Sequence, residues 1–484
     1  MADDVCLSIR FVPGVAEKVA AILYSSQPDR AAQVARLLGD LHAFVRSHGF
    51  EVTTTGAATM CIRGSAERFE AAFQTAAPPD GWASQGFSVV DQKALDAVAA
   101  RLPNFIESIA LQQSFDELAT SVGNWPPPAP AASSLSLLGQ VPALLGADTV
   151  HGKHFDGSGV RVMIFDSDFA FDHRFFLERE ASCEEREAVA TAGGGQAQTP
   201  RGHGTAMAAI VLAIAPRAHV VGMRLRNGVL LEGLDAALDG AHGPMPHIMS
   251  ISLVTDMCHR KTKVCFTKLP AALEHIAAEI NMAVAQGITV IAGTGNGQYG
   301  FPGAMKQVIA VGGVHVDPAD TTSLSVWDGG SAFRCKITSG DCENRFVPDV
   351  CGLAGNARGA YIVLPVPPGS SMEHDFPLTP GTPPGSGWAL FSGTSAATAE
   401  VAGVCALVLQ RKPGLEPDEV KNVLCNTARN VTVGNASALS NLPHRQGLAA
   451  TGTPDRAAGF GLVDAFAAWS KARELAAAQS PPGT

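Results

Sequence analysis

Short apolar runs alternate with segments of helical periodicity over much of this chain. Val160–Phe165 is a continuous apolar run broken only by Arg161, and His219–Arg224, His247–Leu253, Ile288–Ala292 and Val308–Val314 repeat the pattern. Solid apolar runs of this length predict strands buried on both faces. Between them, His203–Ala215, Gly233–Leu238 and Pro270–Gln286 read as helices. Strands that alternate with helices predict an α/β fold with a mostly parallel sheet and helices on both faces. In such sheets, reactive side chains gather at the carboxyl ends of the strands.

The first 115 residues follow a different pattern. Val5–Phe11, Phe50–Thr54, Thr59–Arg63 and Phe105–Gln112 read as strands. Ala31–His48 carries Val34, Leu37, Leu38, Leu41, Phe44 and Val45 at helical spacing and ends at Gly49, the residue that most readily closes a helix. Ala66–Phe73 and Lys93–Leu102 complete a small α+β unit over 1–115. Trp125-Pro126-Pro127-Pro128-Ala129-Pro130 and the following Ala131–Ser134 have linker composition, so 116–142 is expected to connect two domains. The larger domain is expected over 143–475, with a tail at 476–484.

Composition narrows the function classes. Hydrophobic residues make up 46% and charged residues 17% of the 484 positions, which suits a large folded core. The net charge is −10, aromatics are 6%, and no basic block occurs, so a nucleic-acid partner is not expected. The apolar run Ala208–Ala215 is too short to span a bilayer. The start Met1-Ala2-Asp3-Asp4 carries no basic segment ahead of an apolar one, which favours a cytoplasmic location. Two pairs among the ten cysteines, Cys258/Cys265 and Cys335/Cys342, share one spacing and enclose short polar loops. Each pair suits either a bridge across a hairpin or two thiols. A zinc site at Cys258, His259 and Cys265 lacks a fourth ligand.

Four residues stand where chemistry is expected. Asp166 follows the run Val160–Phe165. His203 lies in Arg201-Gly202-His203-Gly204-Thr205 at a helix start. Asn296 lies in a glycine-rich turn after a buried strand. Ser395 follows Gly393-Thr394 and opens the apolar segment Ala396–Leu409. Unpaired N–H groups and the dipole at a helix N-terminus suit a nucleophile and its developing oxyanion. Singly, each has a plain structural reading: turn aspartate, loop histidine, turn asparagine, N-cap serine. Together, acid, base, amide donor and nucleophile fall in one domain.

The order Asp166, His203, Ser395 and the motifs around them resemble the subtilisin-like serine proteases. Val162–Ser167, Gly202–Ala208 and Gly393–Ser395 resemble that family's three catalytic motifs. His173, Ser250–Leu253, Phe301-Pro302-Gly303, Val308–Gly312, Pro348-Asp349-Val350 and Gly459–Ala465 match further family segments. The resemblance implies a peptide or protein substrate. It implies Asp166, His203 and Ser395 as catalytic residues, Asn296 in the oxyanion hole, and Ser252, Leu253, Val254 and Gly293 along the cleft. It implies no required cofactor; calcium sites are common in the family, and no metal ligand set is assigned in this sequence. The chain departs from the pattern at Asp168, a rival to Asp166, and at Ala396, Ala399 and Glu400. It also departs at Val254, where a glycine is usual, and in the short stretch from Asn296 to Pro302. Asp29–Phe73 with Leu102–Leu111 resembles the ferredoxin-like activation domain of the related sedolisins. That implies an N-terminal prodomain acting as an intramolecular inhibitor, cut within the linker. Two alternatives remain: a catalytically silent binding protein on the same scaffold, and a sedolisin-like carboxyl-serine peptidase.

Overall fold

The computed structural model describes residues 4–25, 29–75, 92–112, 116–117, 134–188, 201–225, 229–239, 243–258, 264–317, 320–355, 361–378, 385–437, 446–452 and 454–478. The central sheet runs in the order 320–326, 309–317, 289–293, 248–251, 161–166, 219–224, 183–187, with 350–353 also paired to 309–317. All these pairs are parallel except 309–317 with 320–326. The apolar runs of the sequence are therefore the inner strands of an α/β sheet.

Two helices inside this domain are buried on every side: His203–Ile214, and Thr394 to Leu409 of the Thr394–Arg411 helix. Small and apolar residues dominate both, as suits a helix with no solvent face. Their small residues let them approach closely. A Cβ on Gly403 would lie 2.6 Å from Ile214 Cβ. His203 and Ser395 thus sit near the first turns of two rigid, mutually packed helices.

The N-terminal body forms a four-stranded antiparallel sheet in the order Glu51–Thr55, Thr59–Ser65, Asp4–Phe11, Ile106–Leu111. With the helices between the strands, this is the expected ferredoxin-like arrangement. The predicted Ala31–His48 helix is instead two, Arg30–Leu37 and Gly39–Ser47. Fully buried Leu38 leaves helical geometry at φ −97°, ψ 18°. Pro13–Leu23 is a helix with proline in its first turn, where the missing N–H costs nothing; its prolyl start hides it in the sequence.

The expected linker 116–142 is shorter than its composition suggests. Ser134–Ser136 pairs in parallel with Tyr361–Pro365, and Gln140–Leu144 is a helix with Val141 and Pro142 buried in the larger domain. The Trp125–Pro130 segment lies outside the described residues. The expected tail also begins later, because the last helix runs over Ala465–Ala478.

One face of the N-terminal sheet packs on two helices of the larger domain, Leu230–Leu238 and Ala271–Ala285. The contact buries Glu232, Asp235, His275 and Glu279 completely. Arg63 donates from Nε and Nη2 to the Glu232 carboxylate at 2.8 and 2.6 Å. Thr54 and Thr59 donate to Asp235, each at 2.9 Å. Glu279 accepts from the backbone N–H groups of Ala57, Ala58 and Thr59 at 3.3, 2.7 and 2.8 Å. His275 lies between two hydroxyls, Ser8 Oγ 2.5 Å from Nδ1 and Ser108 Oγ 2.8 Å from Nε2. Gly56 is required here, since a Cβ would stand 2.5 Å from Asp235 Oδ1.

Candidate active site

Arg161–Asp166 ends on the fully buried carboxylate of Asp166. Its Oδ2 lies 2.6 Å from His203 Nδ1, and its Oδ1 accepts the Ser167 N–H at 2.8 Å. These contacts hold the imidazole and leave Nε2 as the outward ring nitrogen. Close approach of strand end and helix start depends on Gly204, where a Cβ would lie 2.4 Å from the Asp168 carbonyl and 2.9 Å from Asp166 Cβ.

Asp168, the rival acid, does something else. Its carboxylate accepts the Gly202 N–H at 2.9 Å and the Ser167 hydroxyl at 2.9 Å. It anchors the turn into the His203 helix, with Gly202 at φ 98°. Of the two carboxylates, Asp166 is the one on the imidazole.

Ser395 is buried near the N-terminus of its helix, after extended Gly393. Its Oγ lies 3.5 Å from the Ser252 carbonyl, and Ser252 Oγ donates to the Ser395 carbonyl at 3.4 Å. The strand Trp388–Phe391 feeds this turn. His173 braces it, with Nε2 3.0 Å from the Gly387 carbonyl and its ring 5.6 Å from that of Trp388.

Asn296 lies between Gly295 (φ 112°) and Gly297 (φ 92°). Its Oδ1 accepts both the N–H and the hydroxyl of Thr394, each at 2.9 Å. These bonds tie the Asn296 side chain to the start of the helix that carries Ser395. The Asn296 loop is itself held from below. Ser331 N–H donates to the Gly295 carbonyl at 2.9 Å, Ser331 Oγ accepts Gly297 N–H at 2.9 Å, and Thr294 donates to the Ser331 carbonyl at 2.7 Å. Neither Ser331 nor Thr394 was singled out as a support by the sequence, because a hydroxyl's partner depends on tertiary contact.

Leu253 and Val254 open one short strand. Leu253–Asp256 pairs antiparallel with Gly300–Phe301 on one side and with Asp116–Glu117 on the other, in the register Leu253↔Glu117 and Val254↔Asp116. A piece of the N-terminal chain therefore lies on the strand that continues from Ser252. Val254 is buried, and a Cβ on Gly300 would lie 2.6 Å from its Cγ2. Gly293 ends Thr289–Gly293, and its carbonyl abuts Gly303.

Glu400, on the Ser395 helix, is fully buried and accepts the Leu353 N–H at 2.6 Å. Burial pushes its carboxyl well above the usual range, so it sits as a neutral acid. It props the neighbouring Val350–Leu353 strand. Cys258 and Cys265 form a disulfide, which removes both from any zinc site; His259 lies outside the described residues. Among the described residues, no group of His, Cys, Asp and Glu side chains could hold a metal ion, and no helix is long and apolar enough to cross a membrane.

Known proteins share this arrangement. A model of the Subtilase family, peptidase family S8, matches residues 157–461, well over half of the chain. The chain is 26% identical over 300 residues to alkaline elastase YaB of Bacillus sp. (strain YaB), covering 59% of this chain and 63% of that protein. It is 23% identical over 300 residues to Subtilisin Savinase of Lederbergia lenta, covering 59% of this chain and 89% of that one. It thus spans less than two thirds of the elastase's length. The crystal structure of fervidolysin from Fervidobacterium pennivorans, a keratinolytic enzyme related to subtilisin, superposes with a TM-score of 0.58 at 15% identity. That match covers 97% of this chain and 61% of the other, and shows a shared fold. The matched family segment runs from before the Asp166 strand to beyond the Ser395 helix, and the chain belongs to the Subtilase family of serine proteases.

Proposed function

We propose that this chain is a serine endopeptidase in which Ser395 Oγ attacks a peptide carbonyl. His203 takes the hydroxyl proton and later gives it to the leaving amine, while Asp166 holds the imidazole tautomer and stabilises the imidazolium. The Asn296 amide and the N–H groups at the helix start receive the oxyanion. The observation that carries this reading is the buried 2.6 Å contact between Asp166 Oδ2 and His203 Nδ1. It favours the Asp-His-Ser assignment over the carboxyl-serine alternative, in which a glutamate would replace the histidine. The test is labelling by a fluorophosphonate probe together with casein hydrolysis. Ser395→Ala is expected to lose the label and at least about 10,000-fold in turnover. Equal labelling or equal turnover in both proteins would refute the assignment, and no labelling of either would favour a binding role.

The same structure supports a second part of the reading, that the N-terminal body inhibits the domain that carries it. Asp116–Glu117 adds a strand to Leu253–Val254, the mode by which an extended peptide occupies a sheet edge. Cleavage of the chain beyond Glu117 would free the cleft. N-terminal sequencing of the active species checks this: full activity from a chain that still begins at its first residues contradicts it.

A further inference from the structure

Two hairpins that end in cysteine pairs stand behind the Asn296 loop. The first is closed by the Cys258–Cys265 disulfide, with a sequence separation of 7. Asp256 Oδ1 accepts both the Cys258 and the Tyr299 N–H, at 3.0 and 3.1 Å, and Met257 N–H donates to the Tyr299 carbonyl at 2.9 Å. The second hairpin pairs Phe333 with Val347 and Arg334 with Phe346. Beyond that ladder, Cys335 N–H donates to the Arg345 carbonyl at 2.7 Å, and Arg345 N–H to the Cys342 carbonyl at 3.4 Å. Cys335 and Cys342 are 2% and 0% exposed, and both are free thiols close enough for each to shift the other's titration.

The hairpins are joined and bear on the same wall. Thr338 N–H and Oγ1 both donate to the Thr267 carbonyl, at 3.0 and 3.2 Å. The Phe333 ring packs on Tyr299 with centroids 4.4 Å apart. Phe333 lies two residues beyond Ser331, whose backbone and hydroxyl hold Gly295 and Gly297 on either side of Asn296. The first hairpin is covalently closed, and its neighbour ends in two free, buried thiols.

We propose that Cys335 and Cys342 are a thiol–disulfide site, oxidised by a small-molecule disulfide of the glutathione class to a bridge that clamps the Asn296 loop from below. The local chemistry sets the order of events. The hydrogen bond from Cys342 holds the Cys335 thiol below its usual range, helped by the Ile337 and Lys336 N–H groups and Arg345. The same contact and burial push Cys342 up. On local opening of the hairpin, Cys335 thiolate attacks one sulfur of the disulfide. The S–S bond breaks, and the first thiolate leaves and takes up a proton. Cys342, losing its proton, then attacks the Cys335 sulfur and expels the second thiol. Two cysteine thiols are oxidised and one disulfide becomes two thiols. Cys6 and Cys61, whose thiols also meet, differ: burial pushes Cys61 up, and Cys6 faces the Glu232 carboxylate.

The test uses full-length Ser395→Ala, incubated with oxidised or reduced glutathione, alkylated in denaturant and mapped by mass spectrometry. Oxidised glutathione is expected to place Cys335 and Cys342 in one disulfide-linked peptide. It should also slow amide exchange over 336–341 by about tenfold or more. Separate alkylation of the two cysteines, or a glutathione adduct on Cys335 alone, overturns the proposal. The catalytic consequence rests on the peptidase reading: wild-type turnover should rise several-fold on oxidation, with no such rise in Cys342→Ser. A bridge that forms without changing turnover overturns the clamp. A bridge in a chain that hydrolyses nothing and takes no fluorophosphonate leaves the thiol site standing and removes the peptidase reading.

Discussion

The Asp166–His203–Ser395 site and the contact between the two bodies are both dense clusters of fully buried polar groups. They are built in opposite ways. In the first, each polar side chain is fixed by a neighbour in the same domain: Asp166 by Ser167, Asn296 by Thr394, Ser395 by Ser252. In the second, Glu232, Asp235 and Glu279 find their partners on another folding unit, at Arg63, Thr54, Thr59 and the 57–59 backbone. The first cluster survives separation of the two bodies. The second leaves uncompensated groups on both surfaces, each of which water must resolvate. The two clusters differ in where their partners come from.

The comparison breaks if the interdomain polar groups do not hold the bodies together. Removing one partner of a buried ion pair costs about 3–5 kcal/mol, because the other charge stays buried and unpaired. In full-length Ser395→Ala, Glu232→Ala should therefore raise the rate of amide exchange at Ala57–Thr59 by at least about 100-fold. Exchange unchanged from the parent would show that apolar contacts alone join the bodies. Within the catalytic cluster, loss of one oxyanion donor typically costs about 100- to 1000-fold in kcat. Asn296→Ala should fall in that range with KM nearly unchanged. A loss confined to KM would mean that Asn296 acts on ground-state binding and not on the developing charge.

The same contrast explains what the sequence shows of each cluster. Buried parallel strands announce themselves as solid apolar runs, so His219–Arg224 is a strand with the bounds its pattern predicts. Asp166 stands out because it ends such a run. The edge strand Cys183–Glu187 (CEERE) carries charges on its exposed side and gives no apolar signal. Glu232, Asp235 and Glu279 lie on helices whose acidic positions look like a solvent face in one dimension. Only packing of the N-terminal sheet turns that face inward. Asp116–Glu117 was assigned to a linker because two acidic residues beside a proline-rich stretch have no periodicity; its strand character comes wholly from Leu253–Val254.

The smallest effect concerns pH, and it separates the groups within the contact. Burial, with Arg10 nearby, lowers the His275 pKa to about 3, against about 6.5 for an exposed histidine. The groups facing it are the Ser8 and Ser108 hydroxyls, and the Arg10 charge is paired with Glu107 at 3.2 Å. A depressed histidine favours the joined state in its neutral form. Its contribution is therefore complete above about pH 6.5 and is lost as pH falls towards 3, by about tenfold in the joining equilibrium per unit. Asp235 and Glu279 act the other way. Burial pushes both carboxyls up, so their contribution is complete at low pH and is lost as pH rises through their raised values. Joining should thus pass through a maximum in weak acid. His275→Gln keeps a side chain able to bond both hydroxyls and removes only the acid limb. In full-length Ser395→Ala, exchange at Ala57–Thr59, corrected for intrinsic rates, should change between pH 6.5 and 5 so that the parent becomes faster relative to His275→Gln by about tenfold per unit, whatever the shared carboxylate slope. Identical profiles would mean that His275 stays wet enough to titrate freely, and that the contact is looser around Ser8 and Ser108 than around Arg63.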